Sequence, residues 1–210
     1  MTDVVSVEED GAAAARAALE RCIARGGVAI FPADTLYGLA CDPVNSAAVE
    51  RIHAIKGRDE GKSSAVMYFS PLAMREIVSG LGPRAREAVG ALLPGPVTLV
   101  VANPERRYPL ACREDPERLG VRLINGPLEG AMTPVLQTSA NRSGESPPTR
   151  FDGIAPEVLA AVDLAIDAGE LIGAPSTVVE ISKIDSTGEW SVLRDGATPM
   201  AEVERRLSAV

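Results

Sequence analysis

An α/β domain built on one large sheet with helices laid against it is the fold class this sequence predicts, and three observations carry the prediction. Short apolar runs of strand length interleave with amphipathic stretches of helix length through the whole chain. A chain of 210 residues, 46% hydrophobic and 24% charged, has the material for an ordinary core and buries about 70% of its unfolded surface. No internal repeat is visible, and the Pro/Gly-rich stretches at 94–96, 142–148 and 173–175 each adjoin a strand candidate, so they read as site loops and not as linkers. Residues 1–210 are therefore expected to form a single domain.

The elements follow in order. Residues 12–25, Ala-rich with Arg16, Glu20, Arg21 and Arg25 interspersed, predict a helix stopped by Gly26-Gly27. Val28 to Phe31 is a short buried strand, and Pro32-Ala33-Asp34-Thr35-Leu36-Tyr37-Gly38 is a polar break at its end. After Asp42-Pro43-Val44-Asn45, the spacing of Ala48, Val49, Ile52 and Ile55 predicts a second helix. Further strands are expected at Ser64 to Phe69, Val97 to Ala102, Gly120 to Leu123, Val135 to Ser139, Leu164 to Ile166, Thr177 to Ile181 and Ser191 to Leu193. Helices are expected near 71–79, 83–92, 127–132, 154–161 and 199–208.

Composition excludes several classes of chemistry. A formal charge of -8 repels phosphate backbones over most of the surface, which argues against a protein that coats nucleic acid. The three cysteines, Cys22, Cys41 and Cys112, contain no Cys-x-x-Cys pair and are odd in number, so neither a zinc site nor a disulfide framework is predicted. With His53 as the single histidine, a His-rich metal centre is out, and a Ser-His-Asp triad has one candidate base. The acidic start and the lack of an 18-residue apolar run give a cytoplasmic expectation, with no membrane partner.

Polar clusters at the ends of the predicted elements mark where chemistry can sit. Lys56-Gly57-Arg58 and Lys62 place three cations within seven positions at a helix end, suited either to gripping a polyphosphate or to offsetting the helix dipole in water. Thr138-Ser139-Ala140-Asn141 opens a strand into a loop, offering hydroxyl and amide groups to a ligand or closing an Asx turn. Arg122 between Val121 and Leu123 is either a bidentate carboxylate clamp or an edge-strand charge. Arg194 either serves a ligand or pairs with Asp195, and Asp34-Thr35-Leu36-Tyr37 is either a turn or the wall of a small-molecule pocket. Without His or Cys chemistry, the shared theme is recognition of anions and hydroxyls, as in an enzyme that activates a carboxylate or carbamate with a nucleotide.

Taken in order, Val28-Ala29-Ile30-Phe31-Pro32-Ala33-Asp34-Thr35-Leu36-Tyr37-Gly38-Leu39, Ile55-Lys56-Gly57-Arg58, Leu93-Pro94-Gly95-Pro96-Val97-Thr98-Leu99, Gly120-Val121-Arg122, Ser139-Ala140-Asn141-Arg142-Ser143-Gly144, Ser176-Thr177-Val178 and Leu193-Arg194-Asp195-Gly196 resemble the YrdC family of threonylcarbamoyl-adenylate synthases. The resemblance spans about residues 28–197. It implies a twisted mixed sheet with flanking helices around a large open cavity, and the conversion of L-threonine, bicarbonate and ATP to threonylcarbamoyl-AMP and pyrophosphate. That adenylate would pass to a downstream threonylcarbamoyl transferase complex that modifies adenosine 37 of tRNA (t6A).

Residue by residue, the resemblance makes Thr35, Arg122 and Ser176, with main chain near Gln137, the threonine contacts. It gives Lys56, Arg58, Lys62, Ser139, Asn141 and Arg194, with the backbone of Pro147, to ATP, and makes Lys56 and Arg58 the catalytic cations. Mg2+ is expected with ATP, held mostly by phosphates and water, since no protein metal site is predicted. The chain departs from the family at Ala33, where Thr is frequent, at Met67, where His is frequent, and at Ile124-Asn125-Gly126-Pro127. An RNA-binding or ribosome-associated module is the alternative, with Lys56, Arg58, Lys62, Arg122, Arg142 and Arg194 converging on one basic face; an inactive nucleotide-binding paralogue is a further one.

Overall fold

The structure, a computed structural model, describes residues 2–57, 63–208 and 210. Its strands are β1 (Asp3–Ser6), β2 (Ala29–Pro32), β3 (Tyr37–Cys41), β4 (Ala65–Tyr68), β5 (Val97–Ala102), β6 (Arg118–Leu123), β7 (Val135–Ser139), β8 (Leu164–Asp167), β9 (Thr177–Glu180) and β10 (Ser191–Arg194). Its α-helices are α1 (Val7–Asp10), α2 (Ala12–Ala24), α3 (Ser46–Lys56), α4 (Pro71–Ser79), α5 (Pro83–Leu92), α6 (Pro109–Cys112), α7 (Pro156–Ala160) and α8 (Met200–Leu207). Among the described residues the strands form one mixed sheet in the order β1-β8-β2-β3-β7-β4-β6-β5-β9-β10. Parallel pairs (β1/β8, β2/β8, β4/β6, β5/β9) are mixed with antiparallel ones, as expected when some strands are joined through helices and others by tight turns.

Local chemistry sets the helix ends. Asn45 accepts from the Ala48 amide to cap α3, and Ser70 does the same for α4 through Leu72. Pro71 and Pro83 open α4 and α5 at positions where the missing N–H costs nothing. Gly57, left-handed at φ 56, ends α3 immediately after Lys56 and fixes where that ammonium leaves the helix.

The two faces of the sheet are buried differently, and this difference makes the site. On one face, Ile30, Leu39, Val66, Val97, Leu99, Val121, Leu136 and Val179 form a large core together with α3 and α5 residues such as Ile52 and Leu92. On the other, Phe31, Met67, Phe69 and Val135 pack with Leu19 and Ile23 of α2 and with Ile124, Leu128 and Ala131 of the chain after β6. Phe31 and Phe69 meet edge to face, 5.9 Å between centroids. That second cover stops partway along the sheet. Beyond it the outward positions of β4 to β9 hold Ala65, Thr98, Val100, Gly120, Arg122, Gln137, Ser139 and Val178, and these line an open cavity.

Several expectations need correction. The break at 32–38 is shorter than predicted, because Tyr37 and Gly38 already belong to β3, paired antiparallel with β2. Gly38 sits there because a Cβ would lie 2.8 Å from the Phe31 ring, so the residue reads as a turn in sequence while serving a close strand contact. The helix expected at 127–132 is a hydrogen-bonded turn: Gly126 and Gly130, at φ 136 and 93, leave the helical region, and the Gly130 amide donates to Phe69 O. Around 154–161 only Pro156–Ala160 is α-helical, preceded by a 3₁₀ turn at Phe151–Gly153. The short β1, α1 and α6 carried too little periodicity to be read at all.

Candidate functional site

The uncovered face holds a cavity of about 620 Å³. Every predicted site residue within the described segments lines it: Thr35, Lys56, Arg122, Gln137, Ser139, Asn141, Pro147, Ser176 and Arg194. Arg58 and Lys62 lie outside the described residues. The contributors come from the β2–β3 turn, the end of α3, β6, β7 and its following loop, and the ends of β9 and β10, so the site exists only once the sheet is assembled.

Arg122 anchors one wall. It projects from near the C-terminal end of β6, beside Met67 of β4, and is 4% exposed. Its Nη2 donates to Asp34 Oδ1 from the β2–β3 turn, while Arg122 Nε and Asp34 Oδ2 are buried without a hydrogen-bond partner. Burial pushes the Asp34 carboxyl up, against the pull of Arg122 and of the Thr35 hydroxyl, and burial also lowers the Arg122 guanidinium. The edge-strand alternative for Arg122 is thereby excluded: the residue is interior, with a fixed carboxylate behind it.

Lys56 anchors a second wall. At 4% exposure its Nζ donates to Ser139 O at 2.7 Å and Asn141 O at 2.8 Å, tying the end of α3 to the loop after β7. The Ser143 amide returns a bond to Lys56 O at 2.9 Å. Asn141 donates through Nδ2 to Arg142 O and Glu145 O, and its Oδ1, on the cavity wall, is buried without a partner. An orphaned acceptor there suits a ligand N–H or O–H.

Arg194 belongs to a third group. It turns away from the neighbouring Asp195 and donates to Ser176 O at 2.8 Å and Ser176 Oγ at 3.1 Å; Ser176 Oγ in turn lies 2.8 Å from Thr98 Oγ1. Gly196 makes this approach possible, since a Cβ there would come within 2.4 Å of Pro175 O. At the far end Arg118 pairs with Asp115 and Glu180, which also reach the cavity.

Two loops close the rim. The Tyr37 amide donates to Pro148 O at 3.0 Å and the Gly173 amide to Thr35 O at 2.9 Å. Tyr37 OH donates to Gly169 O at 2.8 Å and accepts from the Ala168 amide at 2.9 Å. Burial pushes the phenol up to about 12, so at neutral pH it is a fixed strut and not a proton carrier. Ala33 lines the cavity at 5% exposure, whereas Met67 is fully buried in the core beside it, so of the two departures Ala33 is the one that changes the wall.

Of the six cations given to a basic face for RNA, Arg58 and Lys62 lie outside the described residues. Lys56 and Arg122 are buried and engaged with the protein, leaving Arg142 and Arg194 as the exposed members of that set among the described residues. Among the described residues no group of three or more His, Cys, Asp or Glu side chains converges, and the cavity's Asp115 and Glu180 are tied to Arg118. Sequence reasoning passed over Asp34 as a partner of Arg122, and also Thr98, Arg118 and Glu180. The available signal was the alternation of small or polar residues with Val and Leu in β5, β6 and β7.

Fold and site together present an open cavity on the bare half of a mixed sheet, lined by Lys56, Arg122 and Arg194 and by the hydroxyl and amide groups of Ser139, Asn141 and Ser176. The chain belongs to the Sua5/YciO/YrdC family, described as "Telomere recombination", whose pattern matches residues 21–196. It is 31% identical over 187 residues to a threonylcarbamoyl-AMP synthase of Xanthomonas euvesicatoria, covering 84% of this chain and 97% of that one. It is 35% identical over 138 residues to the synthase of Thiobacillus denitrificans, covering 63% and 73%. P. abyssi Sua5 complexed with L-threonine superposes with a TM-score of 0.82 at 26% identity, over 98% of this chain and 60% of that longer one. E. coli YciO, at 24% identity and TM-score 0.78, shares the fold across 97% of this chain and 98% of its own.

Proposed function

We propose that this protein is a threonylcarbamoyl-AMP synthase whose reaction takes place in the cavity on the uncovered sheet face. The observation that carries the reading is the convergence on that one cavity of nine residues named by the family resemblance, which come from turns, strands and a helix end far apart in sequence. The amine of L-threonine and bicarbonate give the N-carbamate with loss of water. A carbamate oxygen then attacks the α-phosphorus of ATP, a new P–O bond forms, the α–β phosphoanhydride breaks, and pyrophosphate leaves, which makes the enzyme a nucleotidyltransferase.

Arg122 takes the threonine carboxylate, with Thr35, Ser176 and the main chain near Gln137 completing the amino-acid subsite. Ser139, Asn141 and Arg194, together with Lys56, Arg58, Lys62 and the backbone of Pro147, take ATP. Ser176, given to the amino acid, accepts directly from Arg194, given to ATP, and this contact supports neighbouring sites for carbamate and α-phosphate. Catalysis by such a site is orientation plus stabilisation of charge on the leaving pyrophosphate, so the absence of a titrating histidine in the cavity costs nothing. Mg2+ belongs here as the counter-ion that ATP brings with it, and no step is assigned to a protein-held metal.

The product would pass to a threonylcarbamoyl transferase complex for t6A37 in the cytoplasm; no helix among the described residues is long and apolar enough to cross a membrane. Incubation with ATP, L-threonine and 13C-bicarbonate, followed by mass spectrometry, tests the reading. Carbon from bicarbonate is expected in a threonylcarbamoyl adenylate formed one-to-one with pyrophosphate. Pyrophosphate release that ignores threonine, or a product without the label, would refute it.

A further inference from the structure

Asp34 has no place in the reaction scheme above and does not line the cavity, yet it holds the one guanidinium the amino-acid subsite depends on. Three features set it apart. It is the carboxylate paired with Arg122, in a pair whose members are 4% and 13% exposed, whereas the other ion pairs among the described residues each have at least one side chain exposed by 31% or more. It engages Arg122 through a single nitrogen, Nη2, leaving Nε buried without a partner and Asp34 Oδ2 likewise. It also directly precedes Thr35 in the β2–β3 turn, so it adjoins two of the residues given to threonine.

A guanidinium buried without compensation would be costly to keep charged and free to take several rotamers. A carboxylate behind it lowers the cost of burial before substrate arrives and fixes the plane of the fork. Engagement through Nη2, with Nε buried, is also the arrangement that leaves Nη1 for a second carboxylate. We propose that Asp34 is the positioning residue of the amino-acid subsite: it holds Arg122 by Nη2 so that Nη1 faces the cavity in register for the carboxylate of the amino acid. This rests on the assignment of threonine to the Arg122 wall. Asp34 acts through Arg122 and contacts no substrate.

The test is calorimetric titration of L-threonine and, separately, of ATP into the full chain and its Asp34→Asn, Asp34→Ala, Arg122→Ala and Asp34→Ala/Arg122→Ala variants, with thermal melts of each. Asp34→Asn keeps the shape of the side chain and guards against a variant that fails to fold. Misplacing the clamp by about 1 Å is expected to weaken threonine binding about 100-fold in both single Asp34 variants, with ATP affinity held. In the Arg122→Ala background, loss of Asp34 should weaken threonine no further, since the route through Arg122 is already gone. Unchanged threonine affinity in Asp34→Asn and Asp34→Ala overturns the proposal, as does an equal loss for ATP, which marks a merely structural role, or an additive loss in the double variant, which marks direct contact. Wild-type chain that binds ATP and no threonine overturns instead the assignment on which the proposal stands.

Discussion

Arg122 and Arg194 line the same cavity but are held in opposite ways. Arg122 is interior, on a central strand, with a carboxylate as its fixed partner. Arg194 is exposed at the end of the edge strand β10 and donates to the carbonyl and hydroxyl of Ser176. The first arrangement fixes a plane, as recognition of a planar carboxylate demands. The second leaves a positive charge with neutral partners, as attraction of a polyphosphate demands. A cavity lined by like cations thus contains two electrostatic environments, and in the proposed function the difference sorts the substrates between them.

The largest expected effect breaks the first arrangement. Arg122→Ala strands Asp34 as a buried charge, and loss of one member of such a pair costs about 3–5 kcal/mol, read as a lowered denaturant midpoint. Threonine-dependent pyrophosphate release should fall to background in the same variant. Arg194→Ala strands no carboxylate, so its stability should stay within about 1 kcal/mol of the parent while the KM for ATP rises about 10- to 100-fold, the loss of a charge-assisted hydrogen bond. A stability loss as large as that of Arg122→Ala would erase the distinction.

Arg122→Lys sharpens the comparison by keeping charge and removing the fork. The KM for threonine should rise about tenfold, with the KM for ATP unchanged. The smallest effect is the pH slope. The Asp34 carboxyl is raised by burial above its ordinary 3.8, so the folded chain binds that proton more tightly than the unfolded one. Its contribution to stability therefore falls as pH rises from 3.8 through the raised value, by at most about 1.4 kcal/mol per pH unit, and is level above it. Unfolding free energies of wild type minus Asp34→Asn, measured across that window, should decline and then flatten; a difference that climbs with pH would mean Arg122 outweighs burial.

Strands such as β5, β6 and β7 were legible as short apolar runs bounded by turn residues, even where one face is a cavity. The outward positions of Thr98, Gly120, Arg122, Gln137 and Ser139 carried a further signal of the site, whereas the polar clusters at element ends were what pointed to it. Tyr37–Cys41 escaped notice because all five of its residues are buried and its Gly38 serves a close contact, so neither alternation nor turn chemistry marks it. The segment 127–132 has apolar residues at near-helical spacing, yet Gly126 and Gly130 bend it into a turn whose Leu128 and Ala131 cover the second face. Asp34 was visible as a residue but not as a partner: it is 88 positions from Arg122, and a pair that distant is fixed by sheet order alone.

The central claim is that amino acid and nucleotide divide the cavity between the Arg122 and Arg194 walls. Its most direct test is a pair of titrations, L-threonine and ATP, into Arg122→Ala and Arg194→Ala proteins shown to be folded. The account predicts a crossed result: Arg122→Ala loses threonine and keeps ATP, while Arg194→Ala weakens ATP and keeps threonine. Loss of the same ligand in both variants, or of neither, would contradict it.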